Sequence, residues 1–316
     1  MATKKTRVAV IAGGISAERE VSLSSARQVM EALDRTKYDI IFYDPATDLV
    51  KIAKDSDSID VAVIMLHGRG GEDGTMQGFL DSLGIPYQGS GVLGSAVAMN
   101  KIISKQLYQA NGLPVPPFLI FARGDRPDID FVAEELGFPV MVKPEQEGSS
   151  IGLTLVKTPD ELQKALEKAW QYDERCLVEK YIDGREITAA VLGNNPPQAL
   201  PLVEIRPGEN FLFFDYDAKY QPGATEEICP APLSEELTRK AQGYAIRAHQ
   251  ALHCRDYSRT DMILNNGEFY ILETNTIPGM TAMSLFPQAA QAAGISFSEL
   301  LDRLVEMALI RKRPSF

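Results

Sequence analysis

Residues 258–275 read SRTDMILNNGEFYILETN, and this stretch decides how the C-terminal part of the chain folds. Two strand-like runs flank Asn266-Gly267, the dipeptide most typical of a tight β-hairpin turn, because both residues tolerate positive φ. Side chains alternate between the two faces of a strand, so Glu273 and Asn275 lie on one face. The stretch predicts an antiparallel hairpin with Asp261 on the first strand and these two residues on the second.

Three oxygen-bearing side chains on one hairpin suggest a cation site. In proteins Mg²⁺ is usually held by one or two carboxylates together with waters and substrate phosphates. Asp261, Glu273 and Asn275 therefore suit a metal–nucleotide site. The alternative is an ordinary strand whose polar residues face solvent. The spacing alone leaves both interpretations open.

The residues before the hairpin predict further antiparallel strands. ITAAVLG at residues 187–193 and ALPLVEI at residues 199–205 are short, β-rich runs that lie close together in sequence. Residues 215–232 (DYDAKYQPGATEEICPAP) lack any regular period. Loops of that length are usually functional lids or disordered segments, so we expect a long mobile loop there.

The central part of the chain predicts a separate unit. LPVPP at residues 113–117 is typical of an extended linker, because proline is excluded from helix interiors. VMVK at residues 140–143 and CLVEKY at residues 176–181 are typical of strands. Thr158, Pro159 and Glu161 predict a capped helix start between them. The apolar face of that helix is predicted to comprise Leu162, Ala165, Leu166 and Ala169.

The first ninety residues alternate between strand and helix patterns. RVAVIA (residues 7–12), DIIFY (residues 39–43) and VAVIML (residues 61–66) are apolar runs suited to strands that are buried on both faces. The residues with helical spacing between the first two runs are Ala26, Val29, Met30 and Leu33. A strand–helix–strand order predicts a parallel sheet covered by helices.

Composition excludes several classes of protein. A length of 316 residues predicts two or three compact units, and a formal net charge of -11 opposes general binding to nucleic acid. No stretch approaches the roughly 18 apolar residues that would cross a membrane. The three cysteines are widely separated and suggest neither a disulfide framework nor a metal pair, so we expect a reducing cytoplasm.

Three further features suggest ligand binding. Lys143 begins KPEQEGSSIG (residues 143–152), a glycine loop suited to phosphate, although its lysine precedes the glycines, unlike that of a Walker loop. Glu18 starts a predicted helix and either stabilises the helix dipole or binds a substrate ammonium group. His67 is either a catalytic base or a loop histidine with satisfied hydrogen bonds.

In their order along the chain, these stretches resemble the D-alanine–D-alanine ligases of the ATP-grasp superfamily. The resemblance rests on GGISAEREVSL, LHGRGGEDGTMQG, VKPEQEGSSIG, LVEKYI, FFDYDAKY and SRTDM continuing to LETNTIPGMTAMSLFP. It implies an α/β and α+β fold, with an N-terminal Rossmann-like domain at residues 1–97. A two-subdomain ATP-grasp fold would follow at residues 98–183 and 184–316, with the mobile loop at residues 215–232.

The resemblance also implies a set of cofactor-binding residues. Those expected to contact ATP are Lys101, Lys143, Ser150, Glu179, Lys180, Tyr181, Ile182, Glu186 and Lys219. Asp261, Glu273 and Asn275 match the ligands of two Mg²⁺ or Mn²⁺ ions in the family. These ions would bridge the phosphates during phosphoryl transfer.

The implied reaction joins two D-alanine molecules through a D-alanyl phosphate and supplies peptidoglycan synthesis in the cytoplasm. The residues implied to be catalytic are Glu18, Ser149, Tyr220, Arg259 and Gly279. Those implied to bind substrate are Glu18, His67, Arg259, Gly279, Ser284 and Leu285. Closure of the mobile loop would exclude water from the acyl phosphate. The family is commonly homodimeric and implies partnership with neither nucleic acid nor membrane.

Some positions depart from the family pattern. Ala26 and Asp256 stand where glycine is frequent, and Met283 occupies a place often held by histidine beside the second-substrate contacts. Lys219-Tyr220 favours D-alanine as the second substrate. The alternatives are an ATP-grasp ligase that takes D-lactate or D-serine second, or a nucleotide-sensing module without turnover. Retention of Arg259 and Glu18 argues against the sensing module, since it needs neither an oxyanion donor nor an ammonium anchor.

Overall fold

The N-terminal unit is a parallel sheet, as predicted. The computed structural model describes residues 4–148, 151–208 and 225–311. Strands β1 (Thr6–Ile11), β2 (Tyr38–Tyr43) and β3 (Val61–Ile64) pair in the order β2-β1-β3, with both pairings parallel. Helix α1 (Arg19–Ala32) and helix α2 (Pro45–Asp55) accompany them. β1 and β3 are largely buried, whereas β2 is an edge strand with exposed positions, so burial on both faces was wrong for β2.

Three helices lead from this sheet to the rest of the chain. They are α3 (Thr75–Ser82), α4 (Val92–Met99) and α5 (Lys101–Ala110). LPVPP then has no regular secondary structure, as predicted, but it is packed against the rest of the protein and is not an exposed linker. Leu113 and Val115 are buried, and the Pro114 carbonyl accepts a hydrogen bond of 2.9 Å from the Ile271 N–H.

The second sheet has four antiparallel strands. β4 (Phe118–Ala122), β5 (Val140–Pro144), β6 (Thr154–Val156) and β7 (Arg175–Lys180) pair in the order β4-β7-β5-β6. Helix α6 (Ile129–Glu135) and helix α7 (Leu162–Ala169) accompany this sheet. The buried residues of α7 are Leu162, Ala165, Leu166 and Ala169, which confirms the predicted apolar face.

The third sheet contains the hairpin. Its path runs β11 (Thr225–Ile228), β10 (Val203–Pro207), β8 (Arg185–Leu192), β12 (Tyr257–Asn265) and β13 (Glu268–Asn275), and β9 (Gln198–Ala199) pairs with β8. Every pairing is antiparallel. Asn266 and Gly267 have φ of 47° and 80°, the positive values that a type I′ hairpin turn needs. Helix α8 (Glu235–Ala251) packs against this sheet.

The predicted mobile loop was placed too broadly. Residues 225–228 form β11, which pairs with β10 in regular register, so this part of residues 215–232 is a strand. Its sequence, TEEI, is short and mostly polar, so it lacks the apolar pattern that would indicate a strand at the sheet edge. Residues 209–224 lie outside the described residues.

The C-terminal helices return to the first sheet. Helix α9 (Leu285–Ala292) and helix α10 (Phe297–Ile310) contribute Phe286, Leu300 and Leu304 to one buried cluster with Val8 and Val63. The end of the chain therefore packs on its beginning. The predicted domain boundaries at residues 97 and 183 stay a prediction, because C-terminal helices pack against the N-terminal sheet. Within the described part of the chain, no helix is both long and apolar enough to cross a membrane.

Asp256 shows why glycine is frequent at its position. Its φ is 63°, in the left-handed region that favours glycine. Its buried carboxylate accepts 2.8 Å hydrogen bonds from the Gly89 N–H and the Asn194 amide, and it also pairs with Arg311. These bonds stabilise Asp256 in a left-handed backbone conformation that glycine adopts without strain.

Candidate active site

Two cavities meet at the centre of the molecule. The first, which we call the sheet cavity, has a volume of about 600 Å³ and lies between the second and third sheets. The second, the junction cavity, has a volume of about 890 Å³ and lies where loops of the first sheet face the residues after β13. Both are lined by Lys101, Glu147 and Glu273. The two cavities therefore share a boundary made of one cation and two carboxylates.

One side of the sheet cavity is a buried charge cluster, the cationic wall, formed by Lys105, Lys143 and Glu179. Lys143 comes from β5 and Glu179 from the adjacent β7, and their charged groups are in contact. Lys105 Nζ of α5 lies 2.8 Å from Glu179 Oε2. Burial opposes ionisation of Glu179, but the two ammonium groups prevail and lower its pKa to about 2. The Glu179 side chain is thus held between two lysines.

Lys101 stands between the cavities at the start of α5. The Asn100 side chain caps this helix by accepting from the Ile103 N–H at 3.0 Å. Lys101 Nζ donates to the Glu147 carbonyl, and its own N–H donates to the Glu145 carbonyl at 2.9 Å. Burial lowers the pKa of Lys101, and Glu273 opposes that shift. The helix start thus aims an ammonium group at the shared boundary.

A second charge cluster, the carboxylate wall, is formed by Arg259, Asp261, Glu273 and Asn275. Asp261 and Glu273 line the sheet cavity, whereas Arg259, Glu273 and Asn275 line the junction cavity. Arg259 donates to both oxygens of Asp261, at 2.9 and 2.7 Å. The Asn275 amide donates to Asp261 at 3.1 Å, and the Thr188 hydroxyl donates to it at 2.5 Å. Glu273 is the cross-strand partner of Asp261. The hairpin therefore assembles all four side chains, as the alternation predicted for Glu273 and Asn275.

A bulge in the hairpin sets this arrangement. The register shifts between Asp261 and Met262, so that Met262 faces Ile271 while Asp261 faces Glu273. Leu272 is the extra residue of β13 and lines the sheet cavity beside Glu273. Bulges of this kind are frequent next to active sites because they re-aim a side chain. No feature of the sequence indicates this shift in register.

The hinge side of the sheet cavity contains the remaining predicted nucleotide contacts. The residues that line it there are Lys180, Tyr181, Ile182 and Glu186. Gly184 belongs to the same rim, where a Cβ would come within 2.4 Å of the Leu264 carbonyl, so only glycine fits. Sequence reasoning missed Arg185, which pairs with Glu204 at 2.7 Å on the cavity lining.

The junction cavity contains Glu18 and His67. Glu18 is buried, and its carboxylate lies against Gly68, where a Cβ would meet it at 2.7 Å. His67 is also buried, and its Nε2 has no hydrogen-bond partner among the described residues. Burial lowers the pKa of His67 to about 4, so the imidazole is neutral at physiological pH. A neutral histidine beside a carboxylate suits a small polar ligand.

Sequence reasoning missed Glu72 in the same cavity. Its carboxylate accepts from the Gly68 N–H at 2.8 Å, on the loop that Glu18 also touches. Burial, reinforced by the negative charge of Glu18, raises the pKa of Glu72 to about 8. The only signal in the sequence was an acidic residue among glycines in GRGGEDG.

The residues after β13 close the far end of the junction cavity. Gly279, Ser284 and Leu285 line it, and a Cβ on Gly279 would lie 3.0 Å from the Ser284 hydroxyl. The Ser284 Oγ accepts from the Thr281 N–H at 3.1 Å just before α9 begins. Met283 also lines this cavity and is 77% exposed.

Four predicted site residues cannot be placed. Ser149, Ser150, Lys219 and Tyr220 lie outside the described residues. Gly148 and Ile151, which flank the first two, line the junction cavity and the sheet cavity respectively.

The donor chemistry of the carboxylate wall fits a hard divalent cation. Two carboxylates in cross-strand register beside an amide match the oxygen ligands that Mg²⁺ takes from protein. Glu273 faces both cavities, and the described residues give its carboxylate no hydrogen bond or ion pair to satisfy it. No cluster of three or more His, Cys, Asp or Glu side chains occurs in the described ranges, so phosphate or water would complete any coordination shell.

Comparison with known proteins gives a consistent result. Residues 107–306 match the family described as D-ala D-ala ligase C-terminus, and residues 7–50 and 44–90 match D-ala D-ala ligase N-terminus. The chain is 65% identical over 309 residues to the D-alanine–D-alanine ligase of Syntrophobacter fumaroxidans, covering 98% of this chain and 99% of the relative. It is 53% identical over 312 residues to that of Desulfotalea psychrophila, covering 98% and 97%.

Solved structures agree with the sequence comparison. The D-alanine–D-alanine ligase from Bacillus anthracis complexed with ATP has a TM-score of 0.85 at 36% identity, covering 96% of this chain and 97% of that one. The VanG D-Ala:D-Ser ligase from Enterococcus faecalis has a TM-score of 0.83 at 32% identity, covering 96% and 100%. The fold is thus shared between enzymes that differ in their second substrate.

Proposed function

This chain belongs to the D-alanine–D-alanine ligase family, and on that premise we propose that it joins two D-alanine molecules in an ATP-dependent reaction. The product would be D-alanyl-D-alanine for peptidoglycan synthesis, formed with ADP and phosphate. One observation carries the proposal: the sheet cavity and the junction cavity share Lys101 and Glu273. A phosphoryl group in one cavity and a carboxylate in the other would meet there.

ATP would occupy the sheet cavity. The base would lie against the hinge rim at Tyr181 and Ile182, with Glu186 beside the ribose. The phosphates would extend towards Lys143 and Lys101, because buried ammonium groups attract phosphate strongly where water is excluded. Lys180, on the exposed rim, and Glu179 would complete the nucleotide contacts.

The carboxylate wall would hold the divalent cations. Asp261, Glu273 and the amide oxygen of Asn275 are the side chains that suit two Mg²⁺ or Mn²⁺ ions. Such ions, when bound with ATP, neutralise the charge of the phosphates as the γ-phosphoryl group is transferred. Thr188 and Arg259 orient Asp261 by donating hydrogen bonds to it.

The first D-alanine would bind in the junction cavity next to the shared boundary. Glu18 would accept the substrate ammonium group, and the Nε2 of His67 would bind its carboxylate side. That carboxylate then attacks the γ-phosphorus of ATP, which forms the D-alanyl phosphate and releases ADP. Phosphorylation is needed because a carboxylate oxygen is a poor leaving group at neutral pH.

The second D-alanine would attack from the far end of the junction cavity. Ser284 and Leu285 line that end and would bind this substrate. Its amine adds to the acyl carbon, and the oxyanion that forms there would be stabilised by Arg259 and the Gly279 N–H. Loss of one such donor typically costs on the order of 10²–10³ in rate. Collapse of the adduct breaks the bond to phosphate and leaves the new amide.

Four further residues complete the proposal from the family resemblance. Ser149 and Tyr220 would act together with Glu18, and Ser150 and Lys219 would contact the phosphates. By the same resemblance, water would be excluded from the acyl phosphate.

A substrate panel tests this function. The protein is incubated with ATP, Mg²⁺ and one of D-alanine, L-alanine, D-alanine plus D-lactate, or D-alanine plus D-serine, and phosphate release and product mass are measured. We expect release with D-alanine alone and a product of two alanines. Release with L-alanine but not with D-alanine would contradict the proposal, and preferred formation of a mixed product would make this a depsipeptide or D-serine ligase. Binding of ATP without turnover would favour the sensing module.

We also propose a homodimer that acts in the cytoplasm. The family resemblance supports the dimer, and the use of ATP as a substrate supports the compartment. Sedimentation velocity tests the first point, because a species near 35 kDa at working concentration would contradict it.

A further inference from the structure

One buried cation has no part in the reaction as proposed. Lys105 is completely inaccessible to solvent and lies one helical turn after Lys101 on α5. Its ammonium group contacts Glu179 at 2.8 Å, and a longer contact of 3.5 Å reaches the Ile271 carbonyl. Burying an ammonium group away from water is costly unless the charge is paired. An apolar residue would fill the same space without that cost. The position of Lys105 therefore calls for an electrostatic role.

The charges of the cationic wall do not cancel. Burial lowers the pKa of Lys105, and the negative charge of Glu179 opposes that shift. With both lysines protonated and Glu179 ionised, the cluster has a net charge of about +1. Of the three side chains, Lys143 is 11% exposed, whereas Lys105 and Glu179 are 0% and 3% exposed. The excess positive charge is therefore displayed to the sheet cavity through Lys143.

The sheet fixes the position of the carboxylate. Glu179 lies on β7, which is paired on one side with β4 and on the other with β5. Lys143 on the neighbouring strand β5 contacts the same carboxylate. Without Lys105, Glu179 would be left with Lys143 as its partner in the wall, and the two charges would neutralise each other.

We propose that Lys105 is a positioning residue for the nucleotide phosphates: it engages Glu179 from behind, so that Lys143 keeps a net positive charge towards the sheet cavity. The inference rests on the proposed function, which makes Lys143 a phosphate contact. Lys105 itself would never touch ATP. Its effect would be specific to the charged part of the nucleotide and absent for the base and ribose.

Lys105→Met tests the inference, because methionine fills the space without the charge. Binding of ADP and of adenosine to the full chain is measured by titration calorimetry. We expect ADP to bind about tenfold more weakly, the order expected when one buried unit charge is removed behind a charged ligand, with adenosine unchanged. Equal weakening of both ligands, or of neither, would overturn the inference. Lys164→Met on the exposed face of α7 is the control and should change neither ligand.

A second variant separates charge from packing. Lys105→Met combined with Glu179→Gln removes one charge of each sign and returns the cluster to a net charge of about +1. The ratio of ADP affinity to adenosine affinity should then recover towards the wild-type value, whereas a merely structural loss would not recover. If Lys105→Met alone does not fold, Glu179→Gln is compared with the double variant. The double variant should bind ADP about tenfold more weakly than Glu179→Gln, and equal affinities would overturn the inference.

Lys143→Met distinguishes this inference from the proposed function. If Lys143→Met leaves ADP affinity unchanged, the proposed site for the phosphates is wrong. If Lys143→Met weakens ADP while Lys105→Met does not, the phosphate site stands and the role of Lys105 is wrong.

Discussion

The two walls of the sheet cavity hold charge in opposite ways. In the cationic wall one carboxylate, Glu179, lies between two lysines, and the excess charge is positive. In the carboxylate wall the Arg259 guanidinium donates hydrogen bonds to Asp261, while Glu273 faces the cavities. In each wall a buried partner of opposite charge holds the central carboxylate, and another charged side chain faces the cavity. Under the proposed function, the phosphates of ATP would contact lysine ammonium groups of the cationic wall. They would contact the carboxylate wall through divalent cations.

The largest effect should come from the exposed charge of the carboxylate wall. Glu273→Gln keeps the shape but removes the carboxylate proposed to bind a cation. We expect ligation to fall by about 10³-fold or more, since metal ions supply several kcal/mol to such reactions. ADP release in a coupled assay measures the rate. The melting temperature should stay near that of the wild type, because Glu273 is only partly buried.

Glu268→Gln is the matched control on the same strand. Glu268 pairs with Lys240 at the turn end of β13, away from both cavities, so turnover should be preserved. Wild-type turnover of Glu273→Gln would show that the carboxylate wall does not hold metal and that the contrast between the walls is wrong.

The second test addresses the guanidinium. Arg259→Lys keeps one positive charge but loses the paired donation to Asp261, so we expect kcat to fall about 10²-fold because an oxyanion donor is displaced. KM for ATP should change far less than kcat. Arg303→Lys on α10, where Arg303 pairs with Glu299 at the surface, is the control. A rise in KM for ATP without any fall in kcat would reassign Arg259 to nucleotide binding.

The third test concerns the pH dependence of the free energy of unfolding, to which buried histidines contribute. His249 packs against the rear of the carboxylate wall, with Nδ1 2.8 Å from the Ser258 hydroxyl, and burial lowers its pKa to about 4. The unfolded chain therefore takes up a proton first, and stability is lost as pH falls from about 6.5 towards 4. Between pH 6.5 and 5 the expected loss is about 2 kcal/mol for each such histidine. His67 should contribute in the same direction.

Urea unfolding at pH 7 and pH 5 measures this effect. His249→Asn should reduce the difference in unfolding free energy between the two pH values by about 2 kcal/mol. His253→Asn, at an exposed position with φ of 55° that asparagine tolerates, should leave the difference unchanged. An unchanged difference in His249→Asn would mean that this histidine does not drive acid sensitivity at the carboxylate wall.

The smallest effect should come from the support of Asp261. Thr188→Val removes the hydroxyl that donates to Asp261 Oδ1 while keeping the volume, so the Mg²⁺ concentration for half-maximal rate should rise about tenfold. Thr260→Val is the control, because Thr260 is buried and bonds Thr274 instead. Both variants should lose similar stability. Equal Mg²⁺ dependence in the two would show that Asp261 needs no such support.

Local patterns predicted much of the fold. The hairpin turn at Asn266-Gly267 and the buried face of α7 depend on turn chemistry and side-chain period, which are properties of neighbouring residues. β11 was missed because TEEI has no alternation, and its pairing with β10 decides its structure. LPVPP was predicted as a linker, but its apolar side chains are buried by residues distant in sequence.

The candidate site shows the same division. Glu273 and Asn275 could be paired from alternation alone, whereas Lys105 and Glu72 could not be singled out. Lys105 looks like any helical lysine in KIISKQL, and only the packing of α5 against the sheets makes it a buried partner of Glu179. The contact of Glu72 with the Gly68 N–H likewise depends on the path of a glycine loop.

By itself the sequence determined the strands of the first sheet, the buried face of α7, the hairpin and the family to which the chain belongs, because these follow from local periodicity, turn residues and motif order. Tertiary structure alone decided which charges lose their water. Burial makes His67 neutral and keeps Glu179 ionised between two lysines, and the bulge at Leu272 sets Glu273 opposite Asp261. The physical reason is that desolvation and Coulomb energies depend on distances between residues far apart in the chain, which no local pattern contains.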